Sequence, residues 1–322
     1  MEWSEIEMHR VIEKIKQSKS VAIFPHINED PDALCSCFAF AEVLKKQGKE
    51  AVCYISEEIE KHLAFLGGEY VIYNGKSEYI HDLALCLDCG DFERLGERKK
   101  LFYEIGNSVN IDHHYTNTNF ADVNYVDGAA AATGEILFEM FRKMGVEFNE
   151  RIARYLYIAI SSDTGCFKYS NVTPKTMRAA ADLLEYKFDH AEISRLLFDT
   201  YSLNVLKLRA EVTRNIHSYA DGKINVVAVK DALFSQYELD VKEATNIVDI
   251  PRCVAGTEIA VCLKNQNGTV RVSMRSNGNA DVSKIAMKFG GGGHKKAAGC
   301  GIEAKTLEEA EKIVVEECLK VL

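Results

Sequence analysis

"VAIFPHINEDPDALCS", residues 21–36, decides the fold. VAIF is apolar at every position, the pattern of a strand buried on both faces. The Asp-Pro-Asp that follows is a turn and helix-cap signature, and DALCSCFAFAEVLKKQGK reads as a helix ended by Gly48. His26, Asp30 and Asp32 therefore stand together at the end of a strand. A turn uses one aspartate and has no need of the histidine. A divalent cation uses all three.

Outward from this stretch the same alternation repeats. AVCYI, YVIY, LALCL and SVNI are short apolar runs bounded by polar clusters, and helical spacing follows around residues 132–145, 149–161 and 174–187. Strands alternating with helices predict an α/β fold with a parallel sheet and right-handed crossovers. After about residue 190 the character changes. SLNVLKLRAEVTRNIHSY reads as a helical connector, KINVVAV as a strand, and TEIAVCLKNQNGTVRVSMRS as a hairpin turning at Asn267-Gly268. A short helix, GGGGHKKAAG, a strand and a terminal helix capped by Thr306 complete a smaller mixed α/β domain. The expected organisation is a catalytic domain over 1–190, a connector over 191–220 and a second domain over 221–322, with the active site in the cleft between the domains.

Length and charge narrow the function. The chain has 322 residues, enough for two domains, and is 47% hydrophobic and 27% charged, an ordinary globular composition. Thirty-nine basic residues against 48 acidic give a net charge of −9, which argues against a broad footprint on long nucleic acid. No apolar run reaches the length of a membrane span. The charged start MEWSEIEMHR is unlike a signal peptide, so the ten cysteines read as reduced thiols in a cytoplasm. Cys86 and Cys89 form a C-x-x-C inside an apolar run with no second pair for zinc, and read as small buried hydrophobes.

Four clusters collect where strands or helices end: PHINEDPD after VAIF, DCGD after LALCL, DHH after SVNI, and SSDTG after YLYIAI, this last at a strand or helix end. Ligands of open parallel sheets gather outside the carboxyl ends of the strands. Each cluster alone has a plain account as a cap or a loop. Together their carboxylates repel unless cations neutralise them, and the imidazole and carboxylate mixture suits Mn²⁺, Zn²⁺ or Fe²⁺ better than Ca²⁺. His9, His62, His81, His190 and His217 lie in mixed polar contexts and are expected to face solvent. GGGGHKKAAG is either a flexible linker or a backbone nest for an anion. Seven basic residues against one acid between Lys264 and Cys300 favour the nest.

HINEDPDALCS, DCGDFERLG, IDHH, SSDTGCF and GGGGHKKAAG, in this order, resemble the motifs of the DHH phosphoesterase superfamily with its DHH-associated C-terminal domain. The length and pairing resemble the NrnA-type nanoRNases and pAp phosphatases. The resemblance implies two divalent ions, Mn²⁺ first and Mg²⁺ or Co²⁺ as substitutes. His26 and Asp30 would bind one ion, Asp32, His113 and Asp163 the other, and Asp88 would bridge both, with a shared hydroxide as nucleophile. His114 would face the scissile phosphate and Asp112 would orient a ligand. Arg275, Gly292, Gly293 and His294 would hold the substrate's terminal phosphate or base. The family usually has glycine where this chain has Cys35, which adds volume at the start of a helix and removes no ligand.

The expected function is hydrolysis of very short RNA to mononucleotides and of pAp to AMP. A phosphodiesterase of pApA or cyclic di-AMP is the alternative within the same chemistry, and no residue separates the two. A nucleotide-sensing module without catalysis is the alternative of another class, and the intact ligand set speaks against it. A DHH-type pyrophosphatase would lack the GGGH signature, and an exonuclease on long strands would need further domains. The expected partners are short RNA or adenosine mono- and dinucleotides, with neither long nucleic acid nor membrane. A homodimer is allowed but not required.

Overall fold

The computed structural model describes every residue except Met1, Glu2, Thr245 and Asn267, and leaves the side chains of Trp3, Ser4, Lys242 and Gln266 undescribed. The chain divides into two compact units, Met1–Thr200 and Tyr201–Leu322.

In chain order the first unit contains α1 (Trp3–Gln17), β1 (Ser20–Phe24), α2 (Pro31–Lys46), β2 (Glu50–Ile55), β3 (Val71–Ile72) and β4 (Leu83–Leu87). Then follow α3 (Lys99–Ile105), β5 (Ser108–Asp112), β6 (Val123–Val126), α4 (Thr133–Lys143), α5 (Glu150–Asp163), α6 (Pro174–Leu184) and α7 (His190–Phe198). The six strands form one parallel sheet in the order β3-β2-β1-β4-β5-β6. Both faces of β1 and β4 are covered. Val21 and Ile23 of β1 and Leu83, Leu85 and Leu87 of β4 pack into a core with residues of α1, α2, α4 and α5. Ala22, Phe24, Ala84 and Cys86 pack on the opposite face with Leu101 and Phe102 of α3. Burial on both sides is why these strands read as unbroken apolar runs.

The order places the switch point of the sheet between β1 and β4, because the chain winds outward in one direction from β1 and in the other from β4. Loops leaving neighbouring strands in opposite directions open a crevice at their carboxyl ends. The loops after β1 and β4 carry HINEDPD and DCGD.

The second unit contains α8 (Leu203–Arg214), β7 (His217–Tyr219), β8 (Ile224–Val229), α9 (Asp231–Gln236), α10 (Asp249–Arg252), β9 (Ile259–Gln266) and β10 (Thr269–Ser276). It ends with α11 (Val282–Lys288), β11 (Gly292–His294), β12 (Ala297–Ile302) and α12 (Leu307–Leu319). Its mixed sheet runs β11-β12-β10-β9-β8-β7, with β8 and β9 parallel and the other pairs antiparallel.

Several expectations are corrected. YVIY yields only the two-residue edge strand β3, whose side chains are exposed. SLNVLKLRAEVTRNIHSY is not helical throughout, because α8 ends at Arg214 and His217–Tyr219 pairs with β8. Of the two ends open to SSDTG, strand or helix, the structure gives the helix end, at α5. His81 is buried, not solvated: its ring nitrogens meet Ser20 Oγ at 3.0 Å and Tyr54 Oη at 2.9 Å. Of the Asn267-Gly268 turn, Asn267 lies outside the described residues, while Gly268 adopts φ +83° between paired β9 and β10. Cys35 is fully buried within the α2 core, so its thiol fills space as an apolar group.

Candidate metal centre

Two clusters assemble at the carboxyl edge of the first sheet. His26, Asp30 and Asp88 form one, and Asp32, His113 and Asp163 form the other. Within the first, His26 Nε2 lies 3.5 Å from Asp30 Oδ2 and 3.7 Å from Asp88 Oδ2. Within the second, His113 Nε2 lies 3.2 Å from Asp163 Oδ2 and 3.9 Å from Asp32 Oδ2. Asp88 belongs to both surroundings: its Oδ2 faces His26, and its Oδ1 lies 3.5 Å from His113 Nε2. It sits just past β4 with φ +58°, a left-handed conformation that aspartate tolerates better than most residues.

The imidazoles are oriented by backbone carbonyls. His26 Nδ1 is 2.7 Å from its neighbour's Ile27 carbonyl, and His113 Nδ1 is 3.3 Å from that of Ala130. A carbonyl only accepts, so each Nδ1 carries a proton, and once Nε2 gives up its own proton its lone pair is the one turned toward the cluster. That is the tautomer a metal ligand requires. Two imidazole nitrogens among carboxylate oxygens form a donor set for a borderline divalent ion, and the residues present fit such a group.

Asp32 and Asp88 are held by the start of α4. Asp32 accepts from the backbone N–H of Thr133 at 2.8 Å, from that of Gly134 at 3.0 Å and from Ser36 Oγ at 3.1 Å. Thr133 Oγ1 donates to Asp88 Oδ1 at 2.9 Å. The helix start thus offers free N–H groups and the positive end of its dipole to a carboxylate. Gly134 is required by space: a Cβ there would lie 2.5 Å from that of Ala159 on α5 and 3.5 Å from Asp32 Oδ1. Asp163 ends α5, and Asn171 ties its carbonyl to that of Ala131 with donor distances of 3.1 and 3.0 Å. Asp30 caps α2 by accepting from the Ala33 N–H at 3.0 Å.

His114 and Asp112 form an adjoining pair. His114 Nδ1 lies 2.7 Å from Asp112 Oδ1, and Asn117 donates to Asp112 Oδ2 at 2.6 Å.

The titration of these groups records a strongly negative field. Burial is the largest single influence on His26 and opposes its charge, but the bond to Asp30 together with the charges of Asp30 and Asp88 outweighs it and lifts the imidazole to about 9. Burial is likewise outweighed at His113 by Asp163, Asp88 and Asp32 together, and at His114 by Asp112 and Asp88 together, so both are raised. Burial and the neighbouring Asp88 and Asp163 push Asp32 well above the usual carboxylate range, and burial with Asp30 raises Asp88. Asp112 and Asp30 move down despite burial, each through its histidine partner. A cluster that raises acids and bases together attracts positive charge.

In the second unit, the glycine run is a strand rather than a linker. Gly292, Gly293 and His294 pair with Gly299, Ala298 and Ala297 of β12. Gly293 adopts φ +134°, and a Cβ there would lie 2.5 Å from the Ala297 carbonyl. Arg275 of β10 also pairs with Ala297, so His294 and Arg275 flank one small residue in a single row of the sheet. Directly opposed residues share a face. Both side chains are half-buried.

Sequence reading passed over Thr133, Gly134, Ser36, Asn117 and the Ala130 carbonyl. Thr-Gly at the head of a helical pattern was the available signal for the first two, since helix starts bind anions. Thr133 reads there as an ordinary cap, yet the cap position belongs to Ala132, which frees the hydroxyl for Asp88.

Residues 20–160 match the model of the DHH family, N-terminal domain, and residues 221–320 match the DHHA1 domain. A Thermus thermophilus protein named bifunctional oligoribonuclease and PAP phosphatase NrnA is 31% identical over 315 residues, covering 96% of this chain and 93% of that protein. Its Bacillus subtilis namesake is 28% identical over 310 residues, covering 95% and 96%. A crystal structure of an exopolyphosphatase-related protein from Bacteroides fragilis shares the fold with a TM-score of 0.90 at 23% identity, covering 98% of this chain and 96% of that one.

Proposed function

Because the chain belongs to the DHH family and carries a DHHA1 domain, we propose that it is a metal-dependent phosphoesterase hydrolysing short RNA to mononucleotides and pAp to AMP, the two activities in the names of its Thermus and Bacillus relatives. The observation that carries this reading is Asp88, whose two carboxylate oxygens face two separate histidine and carboxylate clusters.

His26 and Asp30 would hold one divalent ion, Asp32, His113 and Asp163 a second, and Asp88 both, with Mn²⁺ the first choice and Mg²⁺ or Co²⁺ as substitutes. Such a pair supplies an activated water and neutralises charge at phosphorus. The protein's own part is orientation and electrostatics. Ile27 and Ala130 fix the ligand tautomers of His26 and His113. Thr133 and Gly134 keep Asp32 and Asp88 in place. His114, held by Asp112, carries a raised pKa and would donate from Nε2 to a phosphoryl or leaving oxygen. Arg275, His294 and the backbone of Gly292 and Gly293 would hold the far end of the substrate. Ten unpaired thiols and the absence, among the described residues, of a helix long and apolar enough to cross a membrane are consistent with a cytoplasmic enzyme.

The test is a parallel set of hydrolysis rates with Mn²⁺ for pAp, pApA, cyclic di-AMP, pyrophosphate and RNAs of graded length. The reading requires pAp and the shortest RNAs to be the best substrates. A clear preference for pyrophosphate or cyclic di-AMP overturns it.

A further inference from the structure

The loop from His26 to Asp30 is short and bent, with Asn28 at φ +56°. Its anchor lies on another segment. Between the two ligands stands Glu29, whose carboxylate is buried and accepts from Ser56 N–H at 2.8 Å and Ser56 Oγ at 2.7 Å. Arg98 Nη1 meets Glu29 Oε1 at 3.3 Å, and the arginine side chain is only 1% exposed. Arg98 also donates from Nη1 to the Tyr54 carbonyl at 2.9 Å and from Nε to that of Leu95 at 3.1 Å. Its turn, Phe92–Arg98, makes a second connection: the Ile27 N–H donates to the Arg94 carbonyl at 2.7 Å. The loop bearing His26 and Asp30 is thereby fastened, at both Ile27 and Glu29, to the segment that follows Asp88.

The other cluster has its own supports. Asp32 is held by Thr133, Gly134 and Ser36, and His113 by Ala130. None of these groups touches Glu29 or Arg98 through the bonds just described. A buried charge pair is costly to break from one side, because the remaining charge is left without compensation. Removing Arg98 would therefore move Glu29, and with it the two ligands on either side.

We infer that Arg98, acting through Glu29, is a positioning residue for the ion held by His26 and Asp30 and not for the ion held by Asp32, His113 and Asp163. The inference rests on the two-ion reading above. It explains why a full arginine charge is buried beside the centre without belonging to it. It also gives the two clusters distinct supports, the Phe92–Arg98 turn for His26 and Asp30 and the start of α4 for Asp32, with Asp88, held by Thr133, common to both.

The test is Mn²⁺ titration of the full chain by calorimetry, with electron paramagnetic resonance to detect coupled ion pairs. Wild type is compared with Arg98→Met, Arg98→Lys and Glu29→Gln. Arg98→Met is expected to weaken one of two binding events about 10–100-fold, the range for groups that support a ligand, to leave the other unchanged, and to abolish the coupled-pair signal. Glu29→Gln, which preserves shape, should act in the same direction and reports if Arg98→Met fails to fold. Arg98→Lys keeps the charge but loses the fork, and should fall between. Equal weakening of both ions, or of neither, overturns this inference alone. A single Mn²⁺ bound by wild type overturns the two-ion reading, and this inference with it.

Discussion

Thr133 donates its hydroxyl to Asp88 at 2.9 Å, joining the carboxylate that faces both clusters to the first residue of α4. Thr133→Val keeps the shape of the side chain and removes the donor. It should lower metal affinity and kcat/KM roughly 10-fold, at the low end for support of a ligand. Asp88→Asn tolerates the left-handed backbone but loses the charge, and should lower the rate at least ~10²-fold. Near-normal turnover in a folded Asp88→Asn protein would contradict the assignment of Asp88.

The His26 imidazole gives a signed pH dependence. Its pKa of about 9 without metal lies above the ordinary 6.5, so at neutral pH a bound ion must displace a proton. Apparent metal affinity should rise roughly tenfold per pH unit for this one proton between pH 6 and 8. In metal-free protein the same group acts oppositely. Its contribution to stability is complete below about pH 6.5 and is lost as pH rises through about 9. Calorimetry in buffers of different ionisation enthalpy measures the proton release, and a pH-independent affinity would refute this account.

Gly134→Ala places a methyl carbon 2.5 Å from that of Ala159 and forces α4 away from α5. Overpacking of this kind costs about 1–3 kcal/mol. The displaced N–H groups should loosen Asp32 as well, so thermal stability and metal affinity should fall together. A variant with lowered melting temperature but wild-type metal affinity would show that the α4 start does not hold the ligand.

Arg275 and His294 stand in one row of the second sheet, and we propose that they hold substrate rather than metal. Alanine at either should chiefly raise KM, with kcat falling as far as positioning suffers. Metal content, measured by mass spectrometry of the purified protein, should remain at the wild-type level. Metal lost with His294→Ala would make His294 a ligand.

Charge sets the expected length preference. A net charge of −9 leaves no general attraction for a long polyanion, whereas seven basic residues against one acid between Lys264 and Cys300 suffice for a short one. We expect kcat/KM to peak at roughly two to five nucleotides and to fall steeply beyond, more so in high salt, because phosphate contacts dominate affinity for long strands and are screened. Rates over RNAs of graded length at two salt concentrations test this, and a profile flat or rising with length would point to an exonuclease on long strands.

Strands β1 and β4 were legible because burial on both faces writes them as nearly unbroken apolar runs, and the histidine and acidic clusters were legible because they end those runs, whereas β6, half-buried and carrying Asn124, went unread. Strand order was not. Nothing local in VAIF or LALCL says that β1 and β4 are neighbours, yet that adjacency brings His26 and Asp88 within 3.7 Å. Residues that act through a backbone bond or a distant charge were hidden for the same reason. Glu29 and Arg98 are separated by most of the β1 to β4 crossover, and Thr133 lies far along the chain from Asp32. His81 was misread because its burial depends on Tyr54 and Ser20, which pattern alone does not place beside it.

The two clusters draw on residues from His26 to Asp163, and the hydrogen bonds from α4 fall between them in the chain. During synthesis the amino-terminal strands are made first, and Asp163, the last residue of the second cluster, leaves the ribosome only with α5. A pair of divalent cations held as proposed would reward only a completed first unit, each adding about 2.7 kcal/mol when present at a hundred times the dissociation constant. Cellular metal supply would then govern how long the finished protein survives turnover.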